Sequence, residues 1–279
     1  MLFKRVLSQT RSLSIKRPEP VPLFINGQFI QSKTSNFIKL FNPVSNHHTD
    51  TFKATQEHLY NVPQATPEEL VLASESASEA FQSWKRTSIL TRQKVMLNLQ
   101  ALIRENMDNI AASITLEQGK TLGDAKGDVL RGLQVVEHAC SIPSLLMGEK
   151  LTVSKDMDTY SLREPLGVVG GVMPFNFPAM IPLWVFPLAI ACGNTVILKP
   201  SERDPGASML LAKLAQEAGV PNGVLNVVHG GVDTVNFICD DPAIKAISFV
   251  GSDVAGKHIF ARGTKNGKRV QVSCCLLDF

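Results

Sequence analysis

The chain has 279 residues, of which 44% are hydrophobic and 19% charged, with 19 glycines and 16 prolines. This length suits one large domain or two ordinary ones, and the composition excludes a disordered tail, a collagen-like repeat and a disulfide-stapled miniprotein. The formal net charge of +3 invites comparison with nucleic-acid-binding proteins, but the distribution of the charge argues against that class.

The positive charge is concentrated at the N-terminus. Residues 1–17 contain no acid and five basic residues, Lys4, Arg5, Arg11, Lys16 and Arg17, whereas the whole chain has 28 basic and 25 acidic residues. The rest of the chain is therefore slightly acidic, and no nucleic-acid partner is expected. A basic, acid-free segment with serines and an amphipathic Leu and Phe stripe predicts a mitochondrial transit peptide and a matrix location. The alternative is a basic N-terminus without a targeting role.

The next segments predict short strands. PLFINGQFI carries Asn26-Gly27 between two apolar runs, which is a strong signal for a β-hairpin. FIKLFNP predicts a further strand. Residues 44–62 are polar and show no clear period, so they predict a surface loop.

Helices are expected next. Thr66-Pro67-Glu68-Glu69 forms a capping box with proline at the first helical position, and it predicts a helix that ends near Trp84. Apolar residues at helical spacing predict two or three more helices from about Thr91 to Leu146. We therefore expect residues 18–159 to form a hairpin and a helical flank.

From Leu166 onward the pattern changes to short apolar runs: LGVVGGV, NTVILKP, GVLNVVHG and AIKAISFVG. Helical stretches at about 178–191, 205–219 and 231–239 separate these runs, and a helix at 252–262 and a possible strand at 267–272 follow. This alternation predicts an α/β fold whose parallel sheet is covered on both faces. The expected sheet domain spans 160–272, before a tail at 273–279.

Two features bear on membranes and metals. No charged residue occurs from Pro165 to Leu198, but four prolines interrupt this segment: Pro174, Pro178, Pro182 and Pro187. A buried strand, a turn and a short core helix are expected there rather than a membrane span. The five cysteines show neither CxxC nor metal-ligand spacing, so no metal site is predicted, and three of them suit core positions in a reducing compartment.

Ligands bind at the carboxyl ends of the strands in open parallel sheets, so the loops there are candidate sites. Asn176 follows the first predicted strand of the sheet, in an apolar loop fixed by prolines, and its side-chain amide is a candidate oxyanion donor. An asparagine that only completes a turn is the alternative.

Lys199 and Glu202 follow the next strand. An ammonium and a carboxylate at this spacing suit a bound ribose, and the carboxylate would repel the additional phosphate of NADP and favour NAD. A surface salt bridge is the alternative.

Gly251-Ser252 lies between a strand and a helix, where glycine permits close backbone approach and a helix N-terminus attracts a pyrophosphate. The spacing is not G-x-G-x-x-G, so its position is the main argument. His229-Gly230-Gly231 is a further candidate loop, with a plain β-to-α turn as the alternative.

PFNFP, LKPSER and FVGS, in this order at successive strand ends, resemble the aldehyde dehydrogenase family. ITLEQGKTLGDAKGDVLRGLQVVEHA, CDDPAIKAISFVGS and NGKRVQ are similar to its CoA-acylating methylmalonate-semialdehyde subfamily. The resemblance runs from about residue 22 to 271. It implies a helical flank and a Rossmann-like NAD-binding domain, with NAD as cofactor, CoA as co-substrate and a small-molecule semialdehyde as substrate, in valine and pyrimidine breakdown.

The resemblance also implies residue roles. Asn176 matches the oxyanion-hole amide of the family. Ser252 matches a pyrophosphate contact of the family. Five further residues match its cofactor-binding positions: Met173, Phe175, Lys199, Glu202 and Arg203. Arg131 is the candidate for the substrate carboxylate, since a guanidinium suits a semialdehyde acid. The alternative is an arginine on a helix surface.

Two departures from the family are visible. The family's nucleophilic cysteine belongs to a motif well beyond Gln271, where this chain instead reads VSCCLLDF, so neither Cys274 nor Cys275 is assigned that role. The connection 44–62 is longer than the family's. We therefore expect a truncated, N-terminal part of the enzyme that is inactive alone and lacks the oligomerisation segment of a homo-oligomeric family. The alternative is a cofactor- or partner-binding isoform or a gene-model fragment.

Overall fold

A computed structural model of the chain describes residues 20–43 and 57–274. The predicted transit peptide and most of the predicted loop 44–62 lie outside the described residues. The strands are β1 (Leu23–Ile25), β2 (Gln28–Ile30), β3 (Phe37–Phe41), β4 (His58–Pro63), β5 (Lys150–Ser154), β6 (Met157–Tyr160), β7 (Val168–Val172), β8 (Thr195–Lys199), β9 (Leu225–Val227), β10 (Ile244–Gly251) and β11 (Arg269–Cys274). The helices are α1 (Pro67–Trp84), α2 (Ile89–Glu105), α3 (Met107–Gln118), α4 (Leu122–Ala139), α5 (Ile142–Leu145), α6 (Met180–Ala191), α7 (Gly206–Glu217), α8 (Val232–Asp240) and α9 (Asp253–Lys265).

The main sheet has seven strands in the order β11-β10-β7-β8-β9-β1-β2. The five strands from β7 to β11 are parallel, as the alternation of strands and helices predicted. Their order reverses between β7 and β10, because β8 and β9 lie on one side of β7 whereas β10 and β11 lie on the other. Such a reversal opens a crevice at the carboxyl ends of the two central strands.

The predicted hairpin at Asn26-Gly27 is confirmed, since β1 and β2 pair in antiparallel register. Both turn residues have positive φ, 51° at Asn26 and 73° at Gly27, as a type I′ turn requires. The hairpin also extends the main sheet, because β1 pairs with β9 in antiparallel register. The backbone N–H of Asn26 also donates to the side-chain oxygen of Asn226, over 2.9 Å.

The prediction of a surface loop up to residue 62 is wrong at its end. Residues 58–63 form β4, which pairs with β3 in a small antiparallel sheet. The side chains of Tyr60 and Val62 are buried in the core, so this segment has an inward face. The polar residues around it conceal that alternation in the sequence.

The sheet is covered on both faces. Helices α2, α3, α4, α6 and α7 supply the larger core cluster on one face, with Leu99, Ile114 and Phe186 among its buried side chains. On the other face α1 packs over β7, β8 and β9, whereas α8 packs over β10 and α9 packs over β10 and β11. The predicted capping box of α1 is present, because the Thr66 hydroxyl accepts from the Glu69 N–H and the Glu69 carboxylate accepts from the Thr66 N–H.

The uncharged segment 165–198 forms β7, a turn, α6 and β8, in agreement with the sequence prediction. Within the described residues, none of the helices combines the length and apolarity needed to cross a bilayer. Besides β4, a second feature was not predicted: β5 and β6 pair as a hairpin whose residues are all exposed. Its signal was missed because an exposed hairpin has no buried face to impose alternation.

Candidate functional site

Three predicted loops meet at the carboxyl edge of the sheet. Asn176 follows β7, Glu202 follows β8 and Ser252 follows β10, and these strands are adjacent in the order β10-β7-β8. The backbone N–H of Met173 donates to the carbonyl of Lys199 over 3.0 Å, which joins the first two loops where their strands end. The structure thus brings together the residues for which the sequence predicted a shared site.

The loop 173–178 is held by Lys120, in the segment just before α4. The Lys120 ammonium donates to the backbone carbonyl of Asn176 and lies 4.0 Å from the centre of the Phe177 ring. The Asn176 side chain is partly buried, and its Oδ1 is buried without a hydrogen-bond partner. The neighbouring Phe175 ring is 44% exposed and stacks with the Arg203 guanidinium at 4.7 Å. An exposed aromatic and cationic pair therefore lies beside the asparagine.

The loop after β8 places a buried cation next to a carboxylate. Lys199 is 4% exposed, and its Nζ contacts Glu202 Oε2 at 3.3 Å and the Pro200 carbonyl at 3.1 Å. Burial lowers the pKa of Lys199, and the Glu202 carboxylate opposes that shift. The pair matches the ammonium and carboxylate that the sequence predicted for a ribose, and the Glu202 side chain is about one-third exposed.

Behind this loop lies a second group of acids that the sequence reasoning missed. Asp204 is 2% exposed and neither of its carboxylate oxygens has a hydrogen-bond partner. Burial raises the pKa of Asp204 well above its ordinary value, and the nearby Glu117 carboxylate adds to the shift. The Glu117 carboxylate accepts from the Gly206 N–H over 2.8 Å. Both acids line a cavity of about 380 Å³ that extends from Phe175 and Arg203 to β3.

No grouping of three or more His, Cys, Asp or Glu side chains suitable for a metal ion occurs in residues 20–43 or 57–274.

The third loop is an open turn. Ser252 is the N-cap of α9, and its hydroxyl accepts from the Ala255 N–H over 3.5 Å. Asp253 forms an exposed ion pair with Lys257 at 2.8 Å. Because the first N–H groups of a helix lack partners within the helix, this end suits an anion. Cys274 is paired in register with Gly251 and lies at the same edge of the sheet.

The two remaining predicted positions, Arg131 and His229, lie outside these three loops. Arg131 is exposed on α4, one turn beyond Asp128, and Asp128 contacts the Asn176 loop through Lys120. His229, at the end of β9, is fully buried, and its Nε2 donates to the Pro22 carbonyl over 3.1 Å, because a carbonyl can only accept. Burial lowers the pKa of His229 to about 4. This contact favours a structural role for His229.

Asp128 and Lys120 are further residues that the sequence reasoning missed. The Lys120 Nζ lies 3.0 Å from Asp128 Oδ2, and Asp128 Oδ1 accepts from the Met180 N–H over 2.7 Å. Burial raises the pKa of Asp128, whereas the Lys120 cation opposes the shift. The sequence carries no local signal for this pair, because its partners are about fifty residues away along the chain.

The thiols at 140, 192 and 239 are core or half-buried, and burial raises the pKa of each. A raised pKa keeps a thiol protonated and unreactive. This agrees with the prediction that these cysteines serve as small core residues.

Comparison with known proteins identifies the family. The model of the aldehyde dehydrogenase family matches residues 42–275, slightly past Gln271, where the sequence resemblance was expected to end. The human methylmalonate-semialdehyde/malonate-semialdehyde dehydrogenase (acylating), mitochondrial, is 58% identical over 91% of this chain and 46% of its own length. The Arabidopsis thaliana methylmalonate-semialdehyde dehydrogenase (acylating), mitochondrial, is 57% identical over 95% of this chain and 42% of its own length.

Solved structures agree with the sequence relatives. Methylmalonate-semialdehyde dehydrogenase from Oceanimonas doudoroffii is 39% identical, with a TM-score of 0.86 over 91% of this chain and 50% of that one. A Sinorhizobium meliloti protein crystallised with NAD is 41% identical, with a TM-score of 0.84 over 90% of this chain and 49% of that one. The chain spans about half the length of the curated relatives it matches. With its family model, its relatives and its fold in agreement, the chain belongs to the aldehyde dehydrogenase family.

Proposed function

We propose that this chain binds NAD at the carboxyl edge of β8, β7 and β10. In a protein of its relatives' length, we propose that it serves the NAD-dependent, CoA-acylating oxidation of malonate or methylmalonate semialdehyde, a step of valine and pyrimidine breakdown. The observation that carries the proposal is the convergence of Asn176, Glu202 and Ser252 on three adjacent parallel strands. The names of the acylating relatives and the NAD complex of the Sinorhizobium protein support it.

The side chains at this edge fit a dinucleotide. The carboxylate of Glu202 suits the two ribose hydroxyls, which donate, and Lys199 Nζ suits their oxygens, which accept. The N-terminus of α9 at Ser252 suits the pyrophosphate. Glu202 would lie close to the 2′-phosphate of NADP, so like-charge repulsion favours NAD. Met173 and Phe175 belong to the loop that would lie along the nicotinamide side, and Arg203 stacks on Phe175.

The proposed catalytic residue in this chain is Asn176. When an aldehyde carbon is attacked, negative charge develops on its oxygen, and a fixed amide N–H stabilises that charge without reorganisation. The buried Oδ1 of Asn176 accepts nothing in the structure, so the amide is not used in a turn of its own. Bound NAD would supply the acceptor for the hydride that leaves the aldehyde carbon.

Arg131 is proposed to bind the carboxylate of the semialdehyde, and CoA is proposed to accept the acyl group. The exposed position of Arg131 on α4, one turn from the Asp128 that pairs with Lys120, supports this role. The nucleophilic thiol is not assigned to any residue of this chain. We therefore expect the 279-residue chain alone to give no NADH with malonate semialdehyde and CoA. Clear turnover would show that the chain contains the nucleophile.

The relatives are named mitochondrial enzymes, and the basic, acid-free leader supports import. We propose the matrix as the compartment. Import of the chain into isolated mitochondria, followed by N-terminal sequencing of the processed product, tests the proposal. Processing near Glu19 is expected, and retention of the intact chain outside the organelle would contradict it.

The NAD site is tested by titrating the purified chain with NAD and NADP in a calorimeter. Glu202→Gln should weaken NAD binding by roughly tenfold or more, the value of a charge-assisted hydrogen bond, and reduce the preference over NADP. Asn176→Ala should change NAD affinity little, because its amide is proposed to act on the reacting oxygen. Glu217→Gln, in an exposed pair on α7, is the matched control. Equal losses in the Glu202 and Asn176 variants would contradict the separate roles.

A further inference from the structure

An ion pair between Lys120 and Asp128 lies directly against the loop that carries Asn176. Lys120 follows the left-handed Gly119 at the end of α3, and Asp128 lies in the second turn of α4. Their Nζ and Oδ2 atoms are 3.0 Å apart, with side-chain exposures of 14% and 0%. An ion pair placed this deep is an uncommon arrangement, because each charge loses most of its hydration.

The same two side chains also contact the Asn176 loop and the start of α6. Lys120 Nζ donates to the backbone carbonyl of Asn176 and lies over the ring of Phe177. The second carboxylate oxygen of Asp128, Oδ1, accepts from the N–H of Met180 over 2.7 Å. The pair therefore holds the chain on both sides of Pro178, at the carbonyl before it and at an amide after it.

The side chain of Asn176 has no comparable anchor of its own. Its Oδ1 is buried and has no hydrogen-bond partner. Pro174 and Pro178 fix φ at their own positions, but they leave the peptide that follows Asn176 free to rotate about ψ. Lys120 restrains that rotation, because it binds the carbonyl of the same peptide. The direction of the side-chain amide depends on this backbone, since side-chain rotamers follow φ and ψ.

We propose that Lys120, with Asp128 as its counter-charge, is a positioning residue that fixes the Asn176 peptide and thereby aims the Asn176 side-chain amide. The inference rests on the proposed role of Asn176 as an oxyanion donor, and it assigns a new function to two residues outside the three loops. Lys120 touches neither the reacting atoms nor the cofactor. The competing explanation is an ion pair that only fastens α4 to α6.

The two explanations differ in what happens to the Asn176 side chain, which NMR detects without any cofactor. The chain is labelled with [15N]asparagine, and the side-chain amide pair of Asn176 is assigned by its loss in Asn176→Ala. The Asn194 and Asn226 side chains serve as internal references, because each is buried and donates to a backbone carbonyl. The test stands even if NAD fails to bind, so its failure is distinguishable from failure of the proposed function.

The decisive variant is Lys120→Met combined with Asp128→Asn. The second change prevents an unpaired buried carboxylate from unfolding the protein, and asparagine keeps an acceptor for the Met180 N–H. Lys126→Met is the matched control, since Lys126 lies on the same helix as Asp128 and pairs with Asp108 at the surface. We expect the double variant to lose the single Asn176 amide pair, by splitting or broadening, while the Asn194 and Asn226 signals stay unchanged.

Three results would overturn the proposal. An Asn176 pair with the wild-type shifts and line widths in the double variant would show that Lys120 does not restrain this side chain. Loss or displacement of all three amide pairs would show that the ion pair serves the fold as a whole. A change of the Asn176 pair in Lys126→Met would equally remove the specificity that the proposal requires.

Discussion

The loop that follows β7 and the turn that follows β10 lie at the same edge of the sheet but are held by different means. The Asn176 loop depends on Lys120 and Asp128, which are about fifty residues away in the chain. The Ser252 turn depends on a hydroxyl that caps the N–H three residues later, at an exposed position. The proposed chemical step thus relies on buried, long-range contacts, whereas the proposed phosphate contact relies on local helix geometry.

The largest expected effect comes from removing the anchor of the Asn176 loop. Lys120→Met leaves Asp128 buried without its counter-charge, so the free energy of unfolding should fall by about 3 to 5 kcal/mol. Urea titration at neutral pH measures this loss. Lys126→Met removes an exposed pair between α4 and α3 and should change stability by less than about 1 kcal/mol. Similar losses in both variants would break the distinction between buried and exposed contacts.

The buried His229 should make the free energy of unfolding depend on pH. Because burial lowers its folded-state pKa from 6.5 to about 4, the unfolded chain binds the additional proton between these values. The contribution of neutral His229 is therefore complete above pH 6.5 and should decline by roughly 3 kcal/mol as the pH falls to 4. His229→Gln, whose amide can donate to the Pro22 carbonyl, should lack this slope. Parallel pH profiles of the two proteins would show that His229 does not titrate as expected.

Asp204 should have the opposite dependence on pH. Burial raises its folded-state pKa, so the folded chain binds more protons, and the stability from the neutral acid is lost as pH rises through that pKa. Asp204→Asn should therefore be more stable than the wild type at pH 8, by roughly 1 to 3 kcal/mol, and should lose this advantage near pH 4. Asp156→Asn, in the exposed hairpin of β5 and β6, is the control. A variant less stable than wild type at pH 8 would contradict the prediction.

The smallest effect is expected at the Ser252 turn. Ser252→Ala removes one long hydrogen bond at an exposed helix end, and should reduce the free energy of unfolding by about 0.5 to 1 kcal/mol. Thr66→Ala removes the side-chain hydrogen bond of the α1 capping box, from the Glu69 N–H to the Thr66 hydroxyl, and should reduce it by a similar amount. Thermal melts of both variants rank the two caps. A Ser252→Ala variant less stable than Lys120→Met would show that the local cap contributes more stability than the buried ion pair, contrary to the prediction.

The same difference explains what the sequence could predict. Asn26-Gly27, the Thr66 capping box and the β-rich runs are local signals, and each produced the expected hairpin, helix or strand. Strand ends also identified Asn176, Glu202 and Ser252 as neighbours, because a parallel sheet brings such ends to one edge. These features depend on a few consecutive residues or on the order of elements.

Other features could not be predicted, because they arise between distant parts of the chain. The Lys120 and Asp128 pair has no signature, since a lysine and an aspartate eight residues apart suit any exposed helix start. The burial of Asp204 depends on α3 packing against the loop after β8, through the Glu117 contact with Gly206. The strand β4 was missed because its partner β3 is separated from it by a polar segment.

The pairing of β1 with β9 has a consequence for folding during synthesis. The hydrogen bond between Asn26 and Asn226 joins residues 200 positions apart, so the first strand leaves the ribosome long before its partner. At translation rates of about 5 to 20 residues per second, β9 emerges about 10 to 40 s after the hairpin, whose strand edge stays unpaired during that time. Such an edge is open to pairing with other chains. Chaperone capture of the N-terminal segment would keep this edge from pairing with other chains until β9 is available.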